Sequence, residues 1–114
     1  MLVILMLIGS SCGDILEIED ISSDSVILVA PYDHAVLKVT TLNFSWEPVI
    51  DAEEYQIQIA VPNFENPLQI VVDSTLATHQ ASFNLEGNTY QWRVKAMNSA
   101  YGTKYSTQGF TVEE

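Results

Sequence analysis

The chain has 114 residues, which is room for one domain, and 47% of them are hydrophobic, which argues against wholesale disorder. Fifteen Asp and Glu residues stand against four Lys and Arg, so the formal net charge is −11. Nucleic acids and anionic lipid surfaces attract clustered Lys and Arg, so this charge argues against both as electrostatic partners. The negative charge is otherwise typical of solubility through self-repulsion.

The N-terminus is an unbroken apolar run over residues 1–8, followed by Gly9-Ser10-Ser11 and the single cysteine, Cys12. Eight residues cannot cross a bilayer core, which needs about 20 in a helix. An apolar run before small residues is instead typical of a secretory signal peptide. The arrangement resembles a bacterial lipoprotein signal. The resemblance implies a signal peptide over residues 1–11, lipidation of Cys12, and a place at the periplasmic or surface face of the outer membrane in a bacterial cell envelope.

Two features depart from the usual lipoprotein pattern: no Lys or Arg precedes Lys38, and Gly9 stands where Leu is usual. The alternative is that residues 1–8 form a buried strand or helix and that Cys12 is a core thiol. A lone cysteine can form neither an internal disulfide nor a zinc site. Acidic residues and serines follow, so we predict a lipidated cysteine and acidic linker over residues 12–25 and the domain over residues 26–114.

From residue 26 onward the hydrophobic period is two, which indicates β-strands. Seven short strands separated by turn residues, with no stretch of helical period, predict an all-β, immunoglobulin-like sandwich. The predicted strands cover residues 26–30 (with 35–39 as a second piece of the same edge), 40–46, 55–61, 68–72, 80–85, 90–97, and a last strand through residues 110 and 112.

Several positions in these strands resemble a fibronectin type III domain. That family has a Trp in its second strand, a Tyr in its third, and a Leu before a strand with the pattern Tyr-x-x-x-Val-x-Ala-x-Asn. The matching residues here are Trp46, Tyr55, Leu85, Tyr90, Val94, Ala96 and Asn98. The resemblance implies a seven-stranded fibronectin type III β-sandwich, with Tyr90 as the tyrosine-corner residue and Trp46 and Trp92 in the core. The sequence also contains Ala52, the segment 55–60, Phe64-x-x-Pro67 and Tyr90-x-Trp92-Arg93-Val94. This combination resembles modules of Bacteroidota surface proteins, which occur in carbohydrate-uptake lipoproteins, adhesins and multidomain glycosidases.

No combination of residues predicts a catalytic site, a metal site or a cofactor. His34 and His79 have no Cys or His beside them at metal-ligand spacing. Glu53 and Glu54 are adjacent where a loop enters a strand, so they point to opposite faces and cannot act as an acid–base pair. Nucleophile elbows and glycine-rich phosphate loops are absent from the sequence. We therefore expect no enzymatic activity.

Two surface features are candidates for binding. Arg93 and Lys95 are predicted to point outward from one strand, with Lys104 near the last strand, which suits an acidic or hydroxyl-rich ligand; the alternative is a solvated face with weak charge pairs. Tyr101 lies beside Gly102 in a loop at the end of the sandwich, where such domains recognise partners. The alternative has Tyr101 folded back onto the rim of the core.

These observations predict a non-catalytic, lipid-anchored envelope protein whose β-sandwich serves protein interaction or adhesion. The alternative is a glycan-binding accessory lipoprotein of a polysaccharide-uptake system, which needs an exposed aromatic platform from Tyr32, Tyr101 or Tyr105. The expected partners are the membrane, through the N-terminal lipid, and a protein or glycan at the cell surface.

Overall fold

A computed structural model describes residues 17–114, which form two packed β-sheets. A three-stranded sheet has the order β1-β3-β6, and a five-stranded sheet has the order β2-β8-β7-β4-β5. The predicted all-β sandwich is confirmed. The strands are β1 (Leu28–Ala30), β2 (Ala35–Leu37), β3 (Thr41–Trp46), β4 (Glu54–Val61), β5 (Gln69–Leu76), β6 (Gln80–Asn84), β7 (Asn88–Met97) and β8 (Ser106–Val112).

The first edge of the sandwich differs from the prediction. Residues 26–30 and 35–39 were expected to form one edge, but β1 pairs antiparallel with β3, and β2 pairs parallel with β8 in the other sheet. Pro31 cannot donate to a ladder, so the chain leaves the first sheet there. The His34 N–H then donates to the Gly109 carbonyl (2.7 Å), and the Gly109 N–H donates to the Asp33 carboxylate (2.8 Å). The split edge gives eight strands where seven were predicted.

Aromatic rings fill the space between the sheets. Trp46 of β3 and Trp92 of β7 are both buried, as predicted, with ring centroids 6.3 Å apart. Phe44 meets Trp92 edge-on with centroids 5.1 Å apart, an arrangement that aromatic pairs prefer. The Trp92 indole N–H donates to the Pro31 carbonyl (3.3 Å). The core is therefore bonded directly to the segment that crosses between the sheets.

Tyr90 forms the tyrosine corner that the family resemblance implies. Its hydroxyl donates to the Glu86 carbonyl at 2.6 Å, and its ring stacks on Phe110 with centroids 5.2 Å apart. Burial, followed by the negative charges of Glu86 and Glu114, raises the pKa of Tyr90 above its ordinary value of 10.0. The folded state therefore favours the neutral hydroxyl.

Tyr90→Phe is expected to lower the free energy of unfolding by about 1 kcal/mol, because it removes one hydrogen bond and leaves the ring in place. The raised pKa also predicts a pH effect: the contribution of Tyr90 is complete below an unfolded pKa near 10.0 and is lost as the pH rises through the folded pKa. Urea unfolding between about pH 8 and about pH 11 should therefore show a steeper alkaline loss of stability in the unmodified protein than in Tyr90→Phe. Parallel curves would contradict this role of the hydroxyl.

The packed part of the chain begins upstream of residue 26. Ile21 lies in the segment predicted as a linker, yet it is only 1% exposed and belongs to the core. The Asp20 carboxylate accepts hydrogen bonds from both the N–H and the hydroxyl of Ser22, which forms a turn around Ile21. The Asn98 side-chain amide donates to the Glu19 carbonyl at 2.9 Å. The sandwich thus includes residues from the acidic segment.

The chain enters the sandwich at one end and leaves it at the other. The end where the chain enters is here called the entry end. There the Asn98 amide donates to the carbonyls of both Glu19 (2.9 Å) and Asp51 (3.3 Å), so the N-terminal segment meets the β3–β4 and β7–β8 loops. At the opposite end, the Glu114 carboxylate accepts from the Gly87 N–H at 3.2 Å in the β6–β7 turn.

Candidate ligand-binding face

The outer face of the five-stranded sheet brings together two of the predicted binding residues. The outward positions of β7 hold Gln91, Arg93 and Lys95, all half-buried. Gln58 of β4 lies opposite Arg93 in the ladder, and Tyr105 comes directly before β8. The two-residue period of a strand places the three β7 side chains on the same side of the sheet.

Arg93 is held between two aromatic rings. Its guanidinium carbon lies 4.0 Å from the ring centroid of Phe64 and 4.2 Å from that of Tyr105. Lys95 Nζ lies 5.1 Å from the Tyr105 centroid. Each such cation–π contact contributes about 0.5–1 kcal/mol at an exposed site and about 2 kcal/mol when desolvated. We call Phe64, Arg93, Lys95 and Tyr105 the Arg93 stack. Its two aromatic rings hold its two cations in defined positions.

Phe64 reaches the stack because the β4–β5 loop folds back over the outer face of the sheet. The Phe64 N–H donates to Gln91 Oε1 at 3.0 Å, which joins the loop to β7. Within the loop, the Asn66 N–H donates to Asn63 Oδ1 at 2.8 Å, and the Leu68 N–H donates to the carbonyl of the last β4 residue at 2.6 Å. The loop is thus bonded at its middle and at its base.

Three amide side chains beside the stack use their oxygen atoms within the protein. Gln58 Oε1 accepts from Arg93 Nε (2.9 Å) and Nη2 (2.7 Å), while Gln91 Oε1 and Asn63 Oδ1 accept from loop N–H groups. Because the oxygen atom of each amide accepts from an N–H group, the other end of each side chain is its NH2 group. Gln58 Nε2, Gln91 Nε2 and Asn63 Nδ2 have no hydrogen-bond acceptor among residues 17–114. The outer face of the sheet therefore presents NH2 groups that can donate hydrogen bonds to a ligand.

The cations of the stack have no close carboxylate in the part of the chain that the structure describes. The one contact within 4.0 Å there between a basic and an acidic side chain joins His34 Nδ1 to Asp33 at 3.1 Å. Asp73 of β5 instead accepts from Gln56 Nε2 at 2.9 Å. Burial raises the pKa of Tyr105, with Arg93 opposing the shift and Asp73 adding to it. Tyr105 is therefore a neutral ring, and Asp73 is an acid that acts on the stack from beyond contact distance.

A shallow hollow of about 290 Å³ adjoins the stack through Gln91. It is also lined by His34 from the turn before β2, Asn63 from the β4–β5 loop, and Gly109 and Thr111 from β8. Its volume is at the lower limit of the about 300–1,000 Å³ typical of small-molecule pockets, so it suits a small polar group.

The other two predicted binding residues are not members of the Arg93 stack. Lys104 is exposed and lines a second hollow with residues 22–25 and with Tyr105 of the stack. Tyr101 is 39% exposed in the β7–β8 loop at the entry end. Its N–H donates to Asn98 Oδ1 (2.8 Å), and its carbonyl accepts from the Asn98 N–H (2.9 Å). The Tyr101 backbone is therefore fixed while its ring remains partly open to solvent.

Residues 17–114 contain no group of three or more His, Cys, Asp and Glu side chains placed to hold a metal ion. Within the same range, no helix is long and apolar enough to span a membrane. His79 Nδ1 lies 3.1 Å from the Trp46 carbonyl, so this histidine contacts the backbone of β3. Cys12 and the predicted signal peptide over residues 1–11 lie outside the described residues.

No protein-family model and no curated protein matches the chain, but solved structures do. Fibronectin(III)-like modules of Clostridium thermocellum CbhA are 11% identical, with a TM-score of 0.57 over 77% of this chain and 95% of theirs. A fibronectin type III domain of the human KIAA0970 protein is 13% identical, with a TM-score of 0.58 over 77% of this chain and 72% of that one. The chain therefore has a fibronectin type III-like β-sandwich.

The sequence pattern did not predict that Phe64 belongs to this surface site. It stands in a loop between Pro62 and Pro67, outside any alternating segment, so no period assigns it to a face. The available signal was composition: an aromatic residue among turn formers, in a chain whose other phenylalanines lie in strands.

Proposed function

We propose that the chain is a non-catalytic binding module, held at the outer membrane of a bacterial envelope by a lipid on Cys12, that presents the outer face of its five-stranded sheet to a partner. The Arg93 stack carries this proposal. In a chain with 15 acidic and four basic residues, two cations on this face are held in place, yet neither has a carboxylate within 4.0 Å among the described residues. Held, uncompensated donors suit an acceptor supplied by another molecule.

The position of the N-terminal segment favours the sheet face over the Tyr101 loop. Six residues lie between Cys12 and Glu19, and the seven steps along this piece of chain span at most about 25 Å. With a lipid on Cys12, the entry end faces the membrane, and Tyr101 faces it too. The sheets run from the entry end to the opposite end, so their faces point sideways and stay accessible to a partner.

Glycan binding is the second candidate, and the hydrogen-bonding groups at the hollow support it. Asn63 and Gln91 line the hollow with their amide nitrogens unbonded among residues 17–114, and Thr111 adds a hydroxyl. Sugar hydroxyls accept from such donors, whereas the core of a protein interface is usually depleted in charged residues such as Lys95. A glycan array distinguishes the two candidates, since a module for protein adhesion should give no signal on it.

Cys12→Ser is expected to move the full-length protein from the membrane fraction to the soluble fraction, because −11 net charge leaves only the lipid to hold it there. Mass spectrometry of the native protein should show an acylated Cys12 at the N-terminus. Lys38→Gln, which keeps the cysteine and changes one surface charge, should remain in the membrane fraction. An unmodified thiol on a soluble native product would overturn the anchor.

A further inference from the structure

We infer that the Arg93 stack and the adjoining hollow bind a saccharide that carries a carboxylate, that is, a uronate-containing glycan. The inference rests on the proposed function, because it names the ligand of the face that the module is proposed to present. Arg93 and Lys95 take the carboxylate, and the amides of Gln58, Gln91 and Asn63 take hydroxyl oxygens.

The geometry of Arg93 leaves one edge for a carboxylate. The rings of Phe64 and Tyr105 lie against the guanidinium, whose central carbon is 4.0 and 4.2 Å from their centroids. Gln58 Oε1 occupies the edge formed by Nε and Nη2. Nη1 has no partner among residues 17–114, so the edge formed by Nη1 and the second Nη2 hydrogen is left for a bidentate acceptor. A planar carboxylate matches that edge, and a lone hydroxyl does not.

The neighbouring groups suit sugar hydroxyls. Gln58, Gln91 and Asn63 all have their oxygen engaged and their NH2 group unbonded within the described residues. Because these side chains are bonded through their oxygen atoms, their donors are held in place before a ligand arrives, which lowers the entropy lost on binding. Donors of this kind suit acceptor oxygens spaced along a sugar chain.

The charge of the chain limits how acidic the ligand can be. A net charge of −11 repels a polyanion at distances near the Debye length, about 8 Å at physiological salt. Asp73 also lies near enough to raise the pKa of Tyr105. One carboxylate at Arg93 and Lys95 gains a partner, whereas further carboxylates are repelled by the net charge of the chain. The ligand is therefore a glycan with isolated uronate units on a neutral chain.

Calorimetry on the detergent-solubilised full-length protein tests this with three matched probes: xylotriose with a single glucuronate branch, the methyl ester of that branch, and unbranched xylotriose. The acidic probe should bind at least about tenfold more tightly than either neutral one, because only it offers a charged acceptor to Arg93. Arg93→Gln should remove that preference, and Lys38→Gln, which deletes one positive charge from outside the stack, should keep it. Asp73→Asn should tighten binding of the acidic probe about twofold and leave the ester unchanged.

If Arg93→Gln fails to fold, Lys95→Gln is the second variant that tests the inference. It should weaken binding of the acidic probe about threefold. Equal binding of acidic and neutral probes would overturn the inference, as would acidic-probe binding that both stack variants retain. Binding of a Gly-Glu-Gly peptide without binding of the acidic saccharide would also overturn it. If no probe binds while the stack variants still lose adhesion to cell-surface preparations, the uronate inference fails and the proposed function stands.

Discussion

Trp92→Ala is expected to lower the free energy of unfolding by about 3–5 kcal/mol, the range for truncating a fully buried large aromatic side chain. Trp92 is 0% exposed and packs against Phe44 and Trp46 from the other sheet. Its loss leaves a cavity between the sheets and also leaves the Pro31 carbonyl without its donor. A domain of this size has about 5–15 kcal/mol in total, so the effect should be plain in urea unfolding followed by circular dichroism.

Tyr32→Ala is the matched control for this prediction. Tyr32 is an aromatic residue in the same crossing segment, next to Pro31, but it is 68% exposed. Its truncation should change the free energy of unfolding by no more than about 0.5 kcal/mol. Equal unfolding midpoints for the two variants would show that Trp92 does not pack as described.

Ile21→Ala is expected to cost about 2–5 kcal/mol, because it deletes a buried branched side chain from the core. Ile21 is 1% exposed and lies between Asp20 and Ser22, whose hydrogen bonds form a turn around it. A linker residue would cost nothing on truncation, so the measurement distinguishes a domain that includes this segment from one that begins at residue 26. Urea unfolding of the full-length protein in detergent gives the value.

Ile18→Ala supplies the comparison, since it removes the same atoms three residues upstream, from a side chain that is 44% exposed. Its expected cost is about 0.5 kcal/mol or less. If Ile18→Ala and Ile21→Ala unfold at the same urea concentration, the segment before β1 is not part of the folded unit.

The strands that carry a strict alternation were predictable from the sequence. In β3, β4 and β7 the apolar residues fall on every second position, and the structure buries those positions. The edge strands were harder. β5 was predicted to end at residue 72 but continues to Leu76 through Asp73, Ser74 and Thr75. A strand at a sheet edge buries little on either side, so its ladder with β4 continues where its hydrophobic pattern has stopped.

The crossing between β1 and β2 and the burial of Ile21 share one cause. Each depends on a contact between residues far apart in the chain, such as Asp33 with Gly109 and Asn98 with Glu19. Local periodicity holds no information on such pairs. In the same way, the alternation in β7 predicted that Arg93 and Lys95 point outward, but no pattern could indicate that Phe64 returns from a loop to cover Arg93.

The parallel pairing of β2 with β8 determines how the sandwich resists mechanical force. Tension between the entry end and Glu114 runs along the strands, because the two lie at opposite ends. A pull on the N-terminal side first meets the Asn98–Glu19 hydrogen bond and the burial of Ile21. Beyond them, β2 and β8 are drawn in opposite directions along a shared ladder, so their hydrogen bonds are sheared together and not opened one at a time. If the N-terminal side is tethered and a load is applied at Glu114, that short pair of strands carries the load.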